Sequence, residues 1–230
     1  VGSLTVPVSP AGLPAGAPGS RESRQGRGSA PAPCSAGIGK CVATDLARRN
    51  ARTILACRSR ERGQAAVEEI RAATGNPAVV LRLLDTGSLA SVRAFADAVL
   101  REEPRLDVLV NNAGVTGLPF SITPEGLEQT FATNYLGPFL LTNLLLDLLK
   151  ASAPARVVNV SSFRHSVGTA DSAFLTGQRR PPGYDAAYNS TKLMNVLFTA
   201  ELARRLQGTG GYRDSPGDTP CPSSQGLERG

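Results

Sequence analysis

Tyr188 and Lys192 are the pair in this chain best suited to moving a proton. Four apart on a helix, they lie on one face, one turn from each other. An ammonium there favours the phenolate and draws the phenol's pKa down from its ordinary value of about 10. A tyrosine so tuned can pass a proton to or from an alcohol oxygen near neutral pH. The spacing alone is common on surface helices, so its weight comes from what precedes it. Gly37-Ile38-Gly39 opens a helical pattern, and Asp85 follows an apolar run over residues 79–84. Asn111-Asn112-Ala113-Gly114 closes another run over 106–110. Asn134 stands in Asn134-Tyr135-Leu136-Gly137, and Arg156-Val157-Val158-Asn159-Val160-Ser161-Ser162 ends a third run.

These residues need elements to hold them. Short apolar runs alternate with longer amphipathic stretches through the middle of the chain, the signature of parallel βαβ units. The pattern predicts helices over residues 38–50, 61–73, 89–101 and 185–207, and strands over 52–57, 79–84, 106–111 and 155–160. A longer helical region, in one or two pieces, covers 124–150. In the last helix Leu193, Val196, Leu197, Ala200 and Ala203 form one apolar stripe, the kind of face a helix packs on a core. Residues 1–33 and 211–230 lack any such pattern and read as loop.

Gly37 and Gly39 let the backbone approach a phosphate at the N-terminus of the next helix, where free N–H groups and the dipole favour anions. By residue type Asp85 suits a ligand contact or a helix cap, and Ser162 and Asn134 suit turns and caps equally. His165 follows Ser162 closely, but no Gly-x-Ser-x-Gly turn surrounds that serine, so His165 is assigned to a loop rather than to a hydrolase pair. A length of 230 residues with 41% hydrophobic content fits one ordinary domain. The net charge of +6 comes from scattered or terminal residues with no aromatic-interleaved basic stripe, so no nucleic-acid partner is expected. Cys34, Cys41, Cys57 and Cys221 show no metal-ligand spacing, so no metal is expected and a reducing, cytoplasmic compartment is the default. No run of 18 apolar residues occurs, so no membrane span is expected. Residues 1–33 also lack the charged-then-apolar order of a signal peptide.

Taken in order, these motifs resemble the short-chain dehydrogenase/reductase family over roughly residues 34–210. Ala56-Cys57-Arg58, Gly137-Pro138-Phe139-Leu140-Leu141-Thr142 and Ala203-Arg204-Arg205-Leu206-Gln207-Gly208-Thr209-Gly210 are similar to its retinol dehydrogenase branch, as is the long interval between Ser162 and Tyr188. The resemblance implies an α/β fold with a Rossmann-type doubly wound parallel sheet. It also implies an NADP-dependent oxidoreductase that moves a hydride between the nicotinamide and a lipophilic, retinoid-like alcohol or carbonyl. On that resemblance Tyr188 is the general acid–base, while Lys192 lowers its pKa and holds the nicotinamide ribose. Ser162 bonds the reacting oxygen, and Asn134 positions a water linking Lys192 to solvent. Gly37, Ile38 and Gly39 would meet the pyrophosphate and Asp85 the adenine, with Asn111, Ala113 and Gly114 supporting the nucleotide-binding strand. NAD-preferring members place an acidic residue at the end of the second strand. Here Cys57 and then Arg58 stand there, which favours NADP(H). Members of the branch commonly carry an N-terminal membrane anchor, which residues 1–33 do not supply. A homo-oligomer is compatible with the resemblance.

The chain departs from the family at both edges. The family's glycine segment follows a strand ending in Thr-Gly; the matching positions here are Ala32 and Pro33, with no apolar run ahead of them. Pro33 lacks the N–H and fixes φ. After Gly210 the family's further strand and substrate-covering region have no counterpart. The expectation is an incomplete sheet, missing its first strand and its C-terminal strands. Residues 3–8 are apolar enough to fill the first gap, but Pro7 and a Pro/Gly-rich connection argue against it. An open gap would orphan two backbone ladders at about 1–3 kcal/mol per buried group, with weak hydrogen-exchange protection and poor cofactor retention. A catalytically silent binding relative is the alternative expectation.

Overall fold

Strand Arg52–Cys57 is buried at every position after Arg52, as a strand covered on both faces must be. A computed structural model describes residues 4–8, 37–180 and 182–207. In chain order the strands are β1 (Leu4–Val8), β2 (Arg52–Cys57), β3 (Val79–Leu83), β4 (Val108–Asn111) and β5 (Arg156–Asn159). They form one sheet in the order β3-β2-β1-β4-β5, that of a doubly wound nucleotide-binding fold. β2 pairs parallel with β3, and β4 with β5.

Helices cover both faces. On one, α1 (Ile38–Arg48) and α2 (Arg60–Thr74) close over Leu55, Cys57 and Val79. On the other, α3 (Leu89–Glu102) and the region from α4 (Gln129–Phe131) through α5 (Gly137–Leu144) to α6 (Leu146–Ala151) meet Ile54, Ala56 and Leu109. A short α7 (Ser172–Leu175) precedes the long α8 (Tyr184–Leu206). The Glu103 side chain is 1% exposed and accepts two hydrogen bonds from Arg52, at 2.8 and 2.7 Å, fastening the end of α3 to the start of β2. Apart from β1 and α7, which the periodicity did not predict, these helices and strands fall where it put them, with ends shifted by a few residues.

β1 corrects the reading of the N-terminal segment. The parallel first strand of a regular sheet is missing, as its absent pattern implied, but its slot is filled. β1 runs antiparallel to both neighbours, with Leu4 opposite Ala56 through to Val8 opposite Arg52. Toward β4 only Thr5 and Val110 are in register. The long connection weighed too heavily in the sequence argument, because loop-closure cost grows by only about 0.6 kcal/mol per doubling of length. Pro7 withholds one N–H from the ladder without preventing the pairing. The rest of residues 1–33, including Pro33, and residues 211–230 lie outside the described residues.

The apolar stripe of α8 is a second correction. Val196 and Leu197 are 39% and 52% exposed, whereas Thr191, Lys192 and Asn195 are buried. Beside Ala187 and Phe198, the inward face of this helix carries polar residues that bond the segment after β5, as Lys192 and Asn195 do at the Val160 carbonyl.

Candidate active site

The turn Ala132–Leu136 between α4 and α5 is π-helical, a widening that often marks functional sites. Gly137 follows it, and a Cβ added there would stand 2.0 Å from the Thr86 carbonyl oxygen, so only glycine lets the helix pass the loop after β3. Asn134 lies in this turn, 1% exposed. Its Oδ1 accepts from the Val115 N–H at 2.8 Å, while its Nδ2 donates to the Val115 carbonyl at 2.8 Å and to Thr191 Oγ1 at 3.3 Å. Thr191 in turn donates to the Tyr188 carbonyl at 2.7 Å. Asn134 therefore ties the segment after β4 to the first turns of α8.

Lys192 is 4% exposed. Its Nζ donates to the Val160 carbonyl at 2.9 Å and lies 5.5 Å from the centre of the Tyr188 ring. Burial pushes the ammonium's pKa down. Among the described residues no carboxylate pairs with it. Ser161 Oγ donates to the Lys192 carbonyl at 2.8 Å, so the end of β5 and α8 are laced in both directions. Ser162 begins a 3-10 turn, Phe163–Val167, its hydroxyl accepting from the Arg164 N–H at 3.4 Å. That turn is pinned to α8 by an Arg164–Asp185 ion pair. His165 lies within this 3-10 turn rather than in a loop, and its Nδ1 meets the Ser162 carbonyl oxygen at 2.7 Å. Ser162 and Tyr188 thus stand at one end of the sheet, on the loop after β5 and the second turn of α8.

Beside this group lies an open cleft of about 100 Å³ lined by Arg58, Ser59, Arg62, Asp85, Ala113 and Gly114 among others. Gly114 joins it to Lys192 and Asn134, since a Cβ added there would lie 3.5 Å from Lys192 Nζ and 3.7 Å from Asn134 Oδ1. Ser59 caps α2 by accepting from the Arg62 N–H at 3.3 Å. Among the described residues neither Arg58 nor Arg62 has a carboxylate partner. Asp85 is not the cap of α3, which is Ser88. Its Oδ1 instead accepts from the Gly87 N–H at 2.9 Å, shaping the turn that edges the cleft. Two guanidinium groups, with no acid at the end of β2, fit a dinucleotide that carries an extra phosphate on its adenosine ribose.

Not every expected contact gathers there. Asn111 is buried, donating to Thr142 Oγ1 at 3.0 Å and Asn159 Oδ1 at 2.8 Å, so it braces β4 against β5. Gly37 is the N-cap of α1 with no side-chain cap, Ile38 is 65% exposed, and Gly39 is buried. They begin the helix at the carboxyl end of β2 but are not among the cleft's lining residues. Sequence reasoning did not assign site roles to Ser59, Arg62, Ser161, Thr191 or Asn195. The cap spacing from Ser59 to Arg62 and the helical spacing from Lys192 to Asn195 were the available signals. No group of metal-ligating side chains occurs among the described residues.

Residues 33–210 match the family model described as short chain dehydrogenase. Retinol dehydrogenase 13 of Homo sapiens is 52% identical over 174 residues, covering 76% of this chain and 53% of its own length. Retinol dehydrogenase 12 of Mus musculus is 52% identical over 185 residues, covering 79% and 58%. The chain thus spans little more than half the length of these curated relatives. A crystal structure of a metagenomic short-chain oxidoreductase in complex with NADP superposes with a TM-score of 0.61 at 27% identity, covering 78% of this chain and 75% of that one.

Proposed function

The chain belongs to the short-chain dehydrogenase/reductase family, and from that premise we propose that it is an NADP-dependent oxidoreductase acting on a lipophilic alcohol or carbonyl. The observation that carries this reading is the junction at Gly114, where a cleft bearing two guanidinium groups with no carboxylate partner among the described residues meets buried Lys192 and Asn134. The relatives' names specify retinol, which supports a lipophilic alcohol of that kind as substrate. Arg58 and Arg62 would hold the 2′-phosphate of the cofactor, whose nicotinamide, when bound, supplies or accepts a hydride. The Tyr188 hydroxyl exchanges a proton with the substrate oxygen, and the Ser162 hydroxyl donates a hydrogen bond to that oxygen. Lys192 keeps a cation against the Tyr188 ring, and Asn134 locks the two backbone segments between which they work.

Purified chain is expected to oxidise NADPH in the presence of retinal, and Tyr188→Phe is expected to cut that turnover by about 10²–10⁴-fold. A Tyr188→Phe chain with most of the activity intact would remove Tyr188 from the mechanism. One observation favours a second reading, a silent relative. The central strand runs antiparallel, so it does not lead into the glycine turn as a doubly wound sheet requires. Fluorescence titration separates the two, because the silent relative retains no NADPH.

A further inference from the structure

We infer that Asn195 is a positioning residue for the reaction proposed above, clamping the Val160 carbonyl that receives the Lys192 ammonium. Lys192 and Asn195 stand three apart on α8, 4% and 6% exposed. Asn195 Nδ2 donates to the Val160 carbonyl at 3.4 Å, the same oxygen that Lys192 Nζ reaches at 2.9 Å. A carbonyl carries two lone pairs, so both donors can share it.

The surroundings make that oxygen decisive. Its own helix faces the ammonium with Tyr188, the segment after β5 with the Val160 carbonyl, and the segment after β4 with Gly114, whose other neighbour is the Asn134 amide. Tyr188 is the one titratable group in that set, and none is a carboxylate. Whatever fixes the Val160 peptide therefore fixes where the ammonium stands. The polar contacts below Asn195 reach its backbone and not its carboxamide. Thr199 Oγ1 donates to the Asn195 carbonyl at 2.7 Å, Asn159 Nδ2 donates to Thr199 Oγ1 at 3.0 Å, and Asn111 Nδ2 donates to Asn159 Oδ1 at 2.8 Å. They tie the helix to β4 and β5, while the carboxamide alone reaches the Val160 carbonyl. Burying a carboxamide is costly unless it is bonded, and the exposed Val196 and Leu197 beside it indicate that α8 has apolar residues to spare.

The test uses the full chain labelled with ¹³C at the lysine Cε atoms, whose three signals belong to Lys40, Lys150 and Lys192. Asn195→Asp, an isosteric change, is expected to raise the titration midpoint of Lys192 by about one to three pH units, since it sets a carboxylate beside the ammonium. Asn195→Leu is expected to free the carbonyl, moving the Lys192 signal toward those of Lys40 and Lys150. It should also lower kcat about tenfold with little change in KM, and shift the pH–rate profile. Thr199→Val, which leaves the clamp in place, is expected to leave the Lys192 signal where it was. An unmoved Lys192 signal in both Asn195 variants, or an equal movement in Thr199→Val, overturns the inference. The titration needs no turnover, so it decides this point even if the chain reduces no carbonyl and the oxidoreductase reading fails.

Discussion

Arg58 is where cofactor choice should be felt most directly. It stands exposed at the mouth of the cleft, where β2 gives way to α2, and no carboxylate among the described residues neutralises it. A hydrogen bond to a charged phosphate contributes about 1.5–3 kcal/mol. Arg58→Ala is therefore expected to weaken NADPH binding about ten- to a hundredfold while leaving NADH nearly unchanged, as read by fluorescence titration with both cofactors. Equal affinities in the unaltered chain would mean that Arg58 selects nothing. Lys192 shows how much of such a residue the sequence conveys. Its spacing from Tyr188 was legible, but not that its ammonium reaches the Val160 carbonyl just after β5 and faces the ring of its partner. Those contacts depend on how two elements approach, which no local pattern encodes.

At the scale of elements, what could be read was whatever a single periodicity dictates. The unbroken apolar run in Arg52–Cys57 is what burial on both faces demands, and Ser59 and Ser88 cap the helices that follow β2 and β3. The stripe of α8 faces outward instead of inward, because periodicity finds an apolar face without saying that a hydrogen-bonded polar face takes the interior. β1 was illegible for a different reason. A five-residue strand of mixed type becomes a strand only when two neighbours offer it their ladders. Its pairing is lopsided, five residues in register with β2 but one with β4. Amide exchange should follow that difference, with β2 well protected and β4 exchanging faster on the side facing β1. Deleting residues 1–8 is expected to strip protection from β2. Unchanged exchange in the shortened chain would show that β1 contributes nothing to the sheet.

For the whole molecule, the buried ammonium makes stability depend on pH. An unfolded lysine titrates near 10.4, and burial lowers the folded value below it. Between those two values the unfolded chain binds the proton more tightly, so stability rises with pH through that window and is lower on its acid side. Lys192→Met is accordingly expected to be more stable than the unaltered chain at pH 7, by about 2–4 °C in Tm for each kcal/mol recovered. The advantage should shrink near pH 10, and scans at the two pH values would measure it. Equal Tm at pH 7 would mean that the Val160 carbonyl and the Tyr188 ring fully offset the burial. The antiparallel β1 adds a kinetic corollary. Its partners sit far downstream in the sequence, as in the pairings of Leu4 with Ala56 and of Thr5 with Val110, whereas α1, β2, α2 and β3 meet through nearer neighbours. Pairings that close long loops form slowly. The β1 segment is thus the last to dock, and until it arrives the two halves of the sheet present bare, aggregation-prone edges to every other chain in solution.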